Sequence, residues 1–173
     1  TEVSTPVMEE SNISGAYTTV VTDLLTVQIS NKGGTIISAF LNDYPTELYS
    51  DQTFELLSNS PESIFHAQSG LIPADQMPTH QSEFTSERQE YFLQNNSELI
   101  VPLSWKGDNG IEVTKYFYFK PDSYIIEVDY QIRNNSLTDQ NVSSYTQLAH
   151  GAIIESSGMA MGMQNFSGGA TYN

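Results

Sequence analysis

Between Leu99 and Arg133, apolar and polar residues alternate through three runs that are separated by short polar clusters. Apolar residues at every second position line one face of each run, as in strands with one buried face. The clusters KGDNG and KPDS between the runs are typical of tight turns. The pattern predicts a three-stranded antiparallel meander, with Lys115 interrupting the apolar face of its second strand. An apolar sheet face needs a second layer to cover it, so we expect a two-sheet sandwich.

The chain before Leu99 predicts strands that could form this second layer. Alternating, β-branched residues predict two strands, and Asn31-Lys32-Gly33-Gly34 predicts a hairpin turn because glycine readily adopts positive φ. Residues 35–41 are apolar on both faces, which favours a central, covered strand. The expected elements in this part are strands at 16–22, 24–30, 35–41, 54–57 and 65–70, with irregular segments at 42–51 and 72–88.

The two ends of the chain differ from this middle part. Residues 1–15 have no apolar period, and we expect a flexible tether there, followed by one domain at 16–173. Residues 141–154 predict one or two further strands, and the glycine- and methionine-rich residues 155–173 predict mostly loop. Since no segment has a convincing helical period, the predicted fold class is all-β, an antiparallel two-sheet sandwich.

Composition narrows the possible functions. The 173 residues carry 6 Lys and Arg against 21 Asp and Glu, for a net charge of −15. This charge argues against binding nucleic acid or anionic lipid, because both would be repelled. The absence of cysteine excludes disulfides, thiolate nucleophiles and cysteine-based zinc sites. No run of 18 apolar residues occurs, so we expect no membrane span within this sequence.

Candidate catalytic groups are present but have simpler interpretations. The histidines at 66, 80 and 150 are scattered without metal-ligand spacing. Glu127 and Asp129 share one strand face about 7 Å apart, which suits a glycosidase pair, but alternation already places polar residues there. Asp108-Asn109-Gly110 lacks the spacing of a calcium loop and fits a hairpin turn. The sequence predicts no catalytic residues, no metal site and no cofactor.

A pair of tyrosines suggests recognition instead. Tyr116 and Tyr118 lie on the less apolar face of the central meander strand, beside Ile100 and Ile125. If nothing covers that face, it is an amphipathic surface suited to an extended segment or an apolar ligand. The alternative is that a loop or a helix covers it.

Five segments taken together resemble a known family. They are TDLLTVQISNKGGTIISAFLNDYPTEL (22–48), FELLSNSP (54–61), FHAQSGL (65–71), VPLSWKGDNGIEVTKYFYFKPDSYIIEVDYQIRN (101–134) and FSGGATYN (166–173). Each segment alone is a weak signal, but their order and spacing resemble the large periplasmic domain of the YidC family. Members of that family are the membrane-protein insertases of Gram-negative bacteria.

The resemblance implies an extended β-sandwich of the mutarotase-like supersandwich type, of which this chain holds the N-terminal portion. It implies a location on the periplasmic side of the inner membrane, between the first two transmembrane helices of a multi-pass protein, with residues 1–15 as the link. It also implies a domain without enzyme activity, whose partners are the Sec accessory complex SecDF and inserting or translocating polypeptides. Residues near the border where the Sec-contacting segment would begin are Phe166, Gly168, Gly169 and Tyr172, although the two glycines could simply turn the chain.

A carbohydrate-active or carbohydrate-binding protein is the alternative, because the same sandwich fold permits one. An aldose epimerase needs a histidine acid and a glutamate base that converge on one sugar. His150 and Glu155 are the only tempting pair here, and they lie in no mutarotase-like signature. A third possibility is a secreted adhesin or a sugar-binding sandwich.

Overall fold

A computed structural model describes residues 13–50, 52–73, 75–94 and 97–151. These residues form strands, turns and loops, and no membrane-spanning helix is found among them. The strands are β1 (Tyr17–Val21), β2 (Leu25–Ser30), β3 (Thr35–Pro45), β4 (Thr53–Ser60), β5 (Ser63–Ile72), β6 (Thr85–Ser86), β7 (Glu90–Phe92), β8 (Leu99–Lys106), β9 (Ile111–Phe119), β10 (Glu127–Asn134) and β11 (Ser143–His150).

The described strands form two sheets, which confirms the predicted all-β sandwich. One sheet has seven strands in the order β11-β5-β4-β3-β2-β1-β7, and the other has four in the order β10-β9-β8-β6. Strands β8, β9 and β10 pair antiparallel, as the meander predicted. The pairing of β7 with β1 departs from the prediction because it is parallel, over only three residue pairs.

The core lies between the two sheets. Its main cluster takes buried side chains from both layers: Val20, Leu25, Val27, Ile29, Ile36, Ala39, Leu57, Phe84, Tyr91, Val101, Leu103, Phe117 and Phe119. A smaller cluster around Leu71, Met77, Ile111 and Val113 extends it toward one end. Inward-facing residues alternate with outward-facing ones along β9, so the period of two in the sequence is the period of burial in the structure.

Strand β3 is the fourth of seven, which confirms the expected central position. Its predicted end was wrong, because the strand continues through residues 42–45 instead of entering a loop. Polar side chains can extend a strand where their hydrogen bonds are met. Here the Asn42 side-chain amide donates to the carbonyls of Thr22 and Asp23 at 3.1 and 3.2 Å, and its oxygen accepts from Thr26 at 2.9 Å.

The hairpin turn between β2 and β3 forms as predicted. Gly33 and Gly34 have φ of +72° and +55°, values that favour glycine. Close packing adds a second requirement at Gly33, where a Cβ atom would lie 2.2 Å from the backbone oxygen of His80. A Cβ at Gly34 would meet the side chain of Lys115 at 3.0 Å.

Lys115 is fully buried, and it points into the sandwich from β9. Its Nζ donates to the carbonyl oxygens of Gly33 (2.9 Å), Gly34 (2.8 Å) and Ser69 (3.3 Å). The ammonium therefore joins the four-stranded sheet to the β2–β3 turn and to β5 of the other sheet. Burial lowers the pKa of Lys115 to about 7. The expected interruption of an apolar face is in fact a polar link between the layers.

Strand β10 is the least covered member of the meander. The alternation placed Val128 and Ile132 on the buried face of the sheet, but they are 39% and 37% exposed. Tyr130 alone reaches well inward, where its hydroxyl donates to Ser69 Oγ at 3.0 Å. Tyr124 and Ile126 were expected in the same run, but the strand begins only at Glu127. β10 is the edge strand of its sheet among the described residues, so its inward face extends beyond the opposing layer.

Candidate interaction surface

The outward face of the four-stranded sheet carries the tyrosine pair. Residues that alternate with the buried ones on β8, β9 and β10 face away from the other sheet, and the strand register aligns them in rows. Ile100 lies opposite Tyr118 and Tyr118 opposite Glu127, while Pro102 lies opposite Tyr116 and Tyr116 opposite Asp129. We call these two rows the tyrosine face: Ile100, Pro102, Tyr116, Tyr118, Glu127 and Asp129.

The two rings lie side by side on this face. Their centroids are 6.2 Å apart with an interplanar angle of 36°, as expected for residues i and i+2 on one strand. The Tyr116 hydroxyl donates to Oε1 of Gln131 at 3.1 Å, which holds that ring toward β10. Both side chains are half-buried by their neighbours within the sheet. The structure thus brings together Tyr116 and Tyr118 as predicted, with aromatic surface left open.

Carboxylates surround the rings. Lys120 forms an ion pair with Glu127 at 2.7 Å and lies 4.0 Å from Glu98, and the hydrogen bond to Glu127 raises the pKa of Lys120. The Asp129 carboxylate accepts a hydrogen bond from the Tyr130 backbone N–H at 2.8 Å, and within the described chain it has no cationic partner. Partial burial, followed by the charge of Asp129, raises the pKa of Tyr118. The tyrosine therefore stays a neutral phenol beside negative charge.

A shallow groove continues the surface along the same strands. It has a volume of about 360 Å³ and is lined by Glu112, Thr114, Gln131, Ile132 and Arg133. Glu112 forms an exposed ion pair with Lys106 at 3.1 Å. The outward surface thus runs from an aromatic, acidic end at Tyr118 to a mixed-charge end at Arg133.

The histidines do not assemble into a site within the described residues. His66 is buried, and its Nε2 lies 3.0 Å from Oδ1 of Asn59; burial lowers the pKa of His66. His80 Nδ1 lies 2.6 Å from the Tyr145 hydroxyl, and His150 packs edge-on against Phe65. Across the described ranges, no three His, Asp or Glu side chains cluster closely enough to hold a metal ion. The arrangement of these groups indicates packing roles.

The other candidate pairs also have local explanations. Glu127 and Asp129 both face outward on β10, and Glu127 is paired with Lys120. Asp108-Asn109-Gly110 forms the β8–β9 turn, closed by the Gly107 N–H donating to the Ile111 carbonyl at 2.9 Å. Gly110 adopts a φ of +83° in that turn.

Several predicted residues lie outside the described part of the chain. They are the partner-contact candidates Phe166, Gly168, Gly169 and Tyr172, and the possible sugar base Glu155. Residues 1–12 of the predicted tether lie outside as well. Of residues 13–15, Ile13 exchanges backbone hydrogen bonds with the Asn59 side chain at 3.1 and 3.0 Å.

Two features of the fold were not predicted from the sequence. The first is the role of Lys115, for which a lysine within a strictly apolar alternation was the available signal. The second is the pairing of Tyr44 with Tyr124, whose ring centroids lie 6.3 Å apart. These residues are 80 positions apart, and no local pattern links them.

Comparison with known proteins identifies the family. The sequence model described as the YidC periplasmic domain matches residues 17–173. Proteins named membrane protein insertase YidC are similar over most of this chain. Those of Ruthia magnifica subsp. Calyptogena magnifica and Vesicomyosocius okutanii subsp. Calyptogena okutanii are 50% and 47% identical over 91% of it. The protein of Vibrio atlanticus is 36% identical over 88%.

The chain spans 28% of the length of each of these three relatives. The match covers their periplasmic domain, which places the chain on the periplasmic side of the inner membrane. From the match over residues 17–173 and the identities of 36–50%, the chain belongs to the YidC periplasmic domain family.

Proposed function

We propose that this chain is a noncatalytic interaction module of a membrane protein insertase, and that its tyrosine face contacts extended polypeptide. The relatives are named insertases, and membrane proteins that are being inserted are the natural substrates of such a protein. SecDF is the second proposed partner, by the family resemblance. The whole-protein activity would reside in parts of the relatives that this chain does not span.

The observation that carries the proposal is the position of two paired, half-buried aromatic rings on the outward face of the sandwich. In a two-layer fold the aromatic residues are expected between the layers, where their burial contributes most. Tyr116 and Tyr118 instead face outward, beside Ile100, which is 43% exposed. Tyrosine is enriched at protein interfaces because its ring provides apolar contact and its hydroxyl provides a hydrogen bond.

The tyrosine face is proposed to bind rather than to catalyse, because its polar groups do not form a reaction centre. Glu127 is neutralised by Lys120, and Asp129 accepts a bond from backbone, so neither is arranged as an acid–base pair. A rigid sheet with a neighbouring groove suits the contact of an extended chain, which needs a long, open surface more than a closed pocket.

Photo-crosslinking tests this proposal in the full-length protein during membrane insertion. A photoreactive residue at position 116 or 118 should crosslink to the inserting chain or to SecDF. The same residue at position 17, an exposed tyrosine of the other sheet, serves as the control. Crosslinks at 17 that match those at 116 and 118 would count against the tyrosine face.

The C-terminal candidates form a separate proposal. Phe166, Gly168, Gly169 and Tyr172 are proposed to lie at the SecDF-contacting border. A crosslinker at Tyr172 should react with SecDF, and silence there with strong signal at position 116 would exclude this border.

A further inference from the structure

The geometry points to a basic extended peptide as the partner of the tyrosine face. In this arrangement a lysine or arginine side chain of the partner lies over the rings of Tyr116 and Tyr118 and beside the Asp129 carboxylate. The inference rests on the proposed interaction function and specifies the chemistry of what is bound.

The rings supply the first part of the argument. The face of an aromatic ring carries negative potential, and a cation within about 6 Å of its centre is attracted to it. Tyr116 and Tyr118 present two neighbouring rings, 6.2 Å apart, on an outward sheet face. Each such contact at an exposed site strengthens binding by about two- to five-fold. An acidic partner segment would gain nothing from these rings.

The charges around the rings supply the second part. The negative charges of three carboxylates, those of Glu98, Glu127 and Asp129, contribute to the raised pKa of Tyr118. Lys120 is the cation that pairs with two of them, Glu127 and Glu98. The Asp129 carboxylate stays without a cationic partner among the described residues, beside the ring of Tyr116. A partner cation placed there would satisfy a charge that the protein itself leaves open.

The surface also has the length of a short extended segment. From Tyr118 to Glu112 the outward residues of β9 span six residue steps, or about 20 Å at the rise of a strand. The groove beside Arg133 lies at the far end. An extended peptide of about seven residues would therefore cover the surface, with its basic residues at the Tyr118 end. An anionic membrane surface is disfavoured as the occupant, because the same carboxylates would repel it.

Peptide titration with the full chain provides the test. Three dye-labelled nine-residue peptides in a glycine-serine host carry three lysines, three glutamines or three glutamates. By fluorescence anisotropy at low salt, the lysine peptide should bind at least about tenfold more tightly than the glutamate peptide and about fivefold more tightly than the glutamine peptide. Raising the salt to 300 mM should reduce this preference, since the charges are exposed.

Variants locate the binding. Replacing both rings by Tyr116→Leu and Tyr118→Leu should weaken lysine-peptide binding about fivefold or more and leave glutamine-peptide binding nearly unchanged. The surface change Asp129→Asn keeps the shape of the side chain and should weaken lysine-peptide binding about threefold. Matched controls away from the tyrosine face are Tyr17→Leu on β1 and Glu62→Gln in the turn between β4 and β5, and neither should change the affinity. Circular dichroism and the thermal midpoint check that each variant is folded.

Equal binding of the lysine and glutamine peptides would overturn the basic specificity and leave the interaction function standing. A preference for lysine that survives both the double tyrosine change and Asp129→Asn would overturn this location. If none of the three peptides binds and no crosslink forms from positions 116 and 118, both this inference and the proposed function fail. Because Asp129 is a surface residue, its variant decides the question even if the double tyrosine variant does not fold.

Discussion

At the scale of single residues, Lys115 shows how a sandwich can hold a charge in its interior. An ammonium group removed from water is costly unless hydrogen bonds replace its hydration. Three carbonyl oxygens, from Gly33, Gly34 and Ser69, do this at 2.8–3.3 Å, and the rings of Phe117 and Tyr130 lie 5.2 and 5.7 Å from Nζ. The turn carbonyls would otherwise be buried without a donor. The lysine thus connects the two sheets through the β2–β3 turn.

This burial predicts a pH dependence of stability. The pKa of Lys115 falls from its ordinary value near 10.5 to about 7 in the folded state, so between those values the unfolded chain binds more protons. The protein's free energy of unfolding should therefore rise as the pH increases from about 7 to 9.5. The cost of the buried charge is fully present below pH 7. When the free energy of unfolding is measured with urea at several pH values, it should rise less steeply with pH in Lys115→Met than in the parent chain.

Lys106→Met provides the control, because Lys106 is an exposed lysine whose side chain is 78% accessible. Its free energy of unfolding should depend on pH as that of the parent chain does. Identical slopes for the parent and Lys115→Met would show that the buried lysine titrates in its ordinary range.

Gly33 gives a second prediction at this scale. Alanine there meets both a positive φ of +72° and a backbone oxygen 2.2 Å from the new Cβ, whereas Gly110 has φ of +83° and no contact closer than 3.4 Å. Positive φ alone costs about 1–2 kcal/mol, so Gly110→Ala should lose about that much. Gly33→Ala should lose about 3 kcal/mol or more, since the turn must also move. Equal losses in urea unfolding would show that the close packing of His80 is readily relieved.

At the scale of strands, the three members of the meander have similar sequences and different surroundings. Strand β9 lies between β8 and β10, and its inward residues are buried against the other sheet. Strand β10 has the same alternation, but most of its residues are exposed. Position in the sheet therefore decides how much stability the same residue type contributes.

Two valines test this directly. Val113 on β9 is 1% exposed, and Val128 on β10 is 39% exposed. Val113→Ala removes two buried methyl groups and leaves a cavity, so the expected loss is about 2 kcal/mol. Val128→Ala should cost less than about 1 kcal/mol. A loss at Val128 equal to that at Val113, measured by the same unfolding assay, would mean that another part of the protein covers β10.

At the scale of the whole molecule, the chain combines a net charge of −15 with a thin two-layer core. Excess charge of one sign keeps a protein soluble and also opposes the compact state through self-repulsion. The ion pairs formed by the described lysines are exposed, and such pairs contribute little to stability.

Salt should therefore stabilise this protein. Raising sodium chloride from 10 to 300 mM at pH 7 shortens the range of charge repulsion and should increase the free energy of unfolding by about 1 kcal/mol. The same salt change near pH 4.2, where the net charge vanishes, should have little effect and serves as the control. A decrease in stability with salt at pH 7 would show that attractive pairs outweigh the repulsion.

Much of the fold was predictable because strands are local patterns. Alternation predicted β8 and β9 closely, and glycine chemistry predicted the turn at Gly33 and Gly34. The position of β3 in the middle of its sheet followed from its two apolar faces. The errors occurred where long-range contacts determine how far a strand extends and which strand it pairs with. Examples are the extension of β3 through Asn42 and the parallel pairing of β7 with β1.

The candidate surface was predictable only in part. The sequence placed Tyr116 and Tyr118 on one strand face, but whether another layer covered that face was open. The register of β9 against β10 brought Asp129 beside Tyr116, a relation between residues 13 positions apart. The charge balance around the rings depends on that register and on the reach of Lys120.

The sequence by itself determined the all-β class, the period of burial and the strongly acidic surface, because each follows from the order and kind of neighbouring residues. The tertiary structure decided the sheet order, the burial of Lys115 and the open outward face of the tyrosines. Those features depend on which distant strands meet, and the free energy of such contacts is set by packing between layers rather than by local preference.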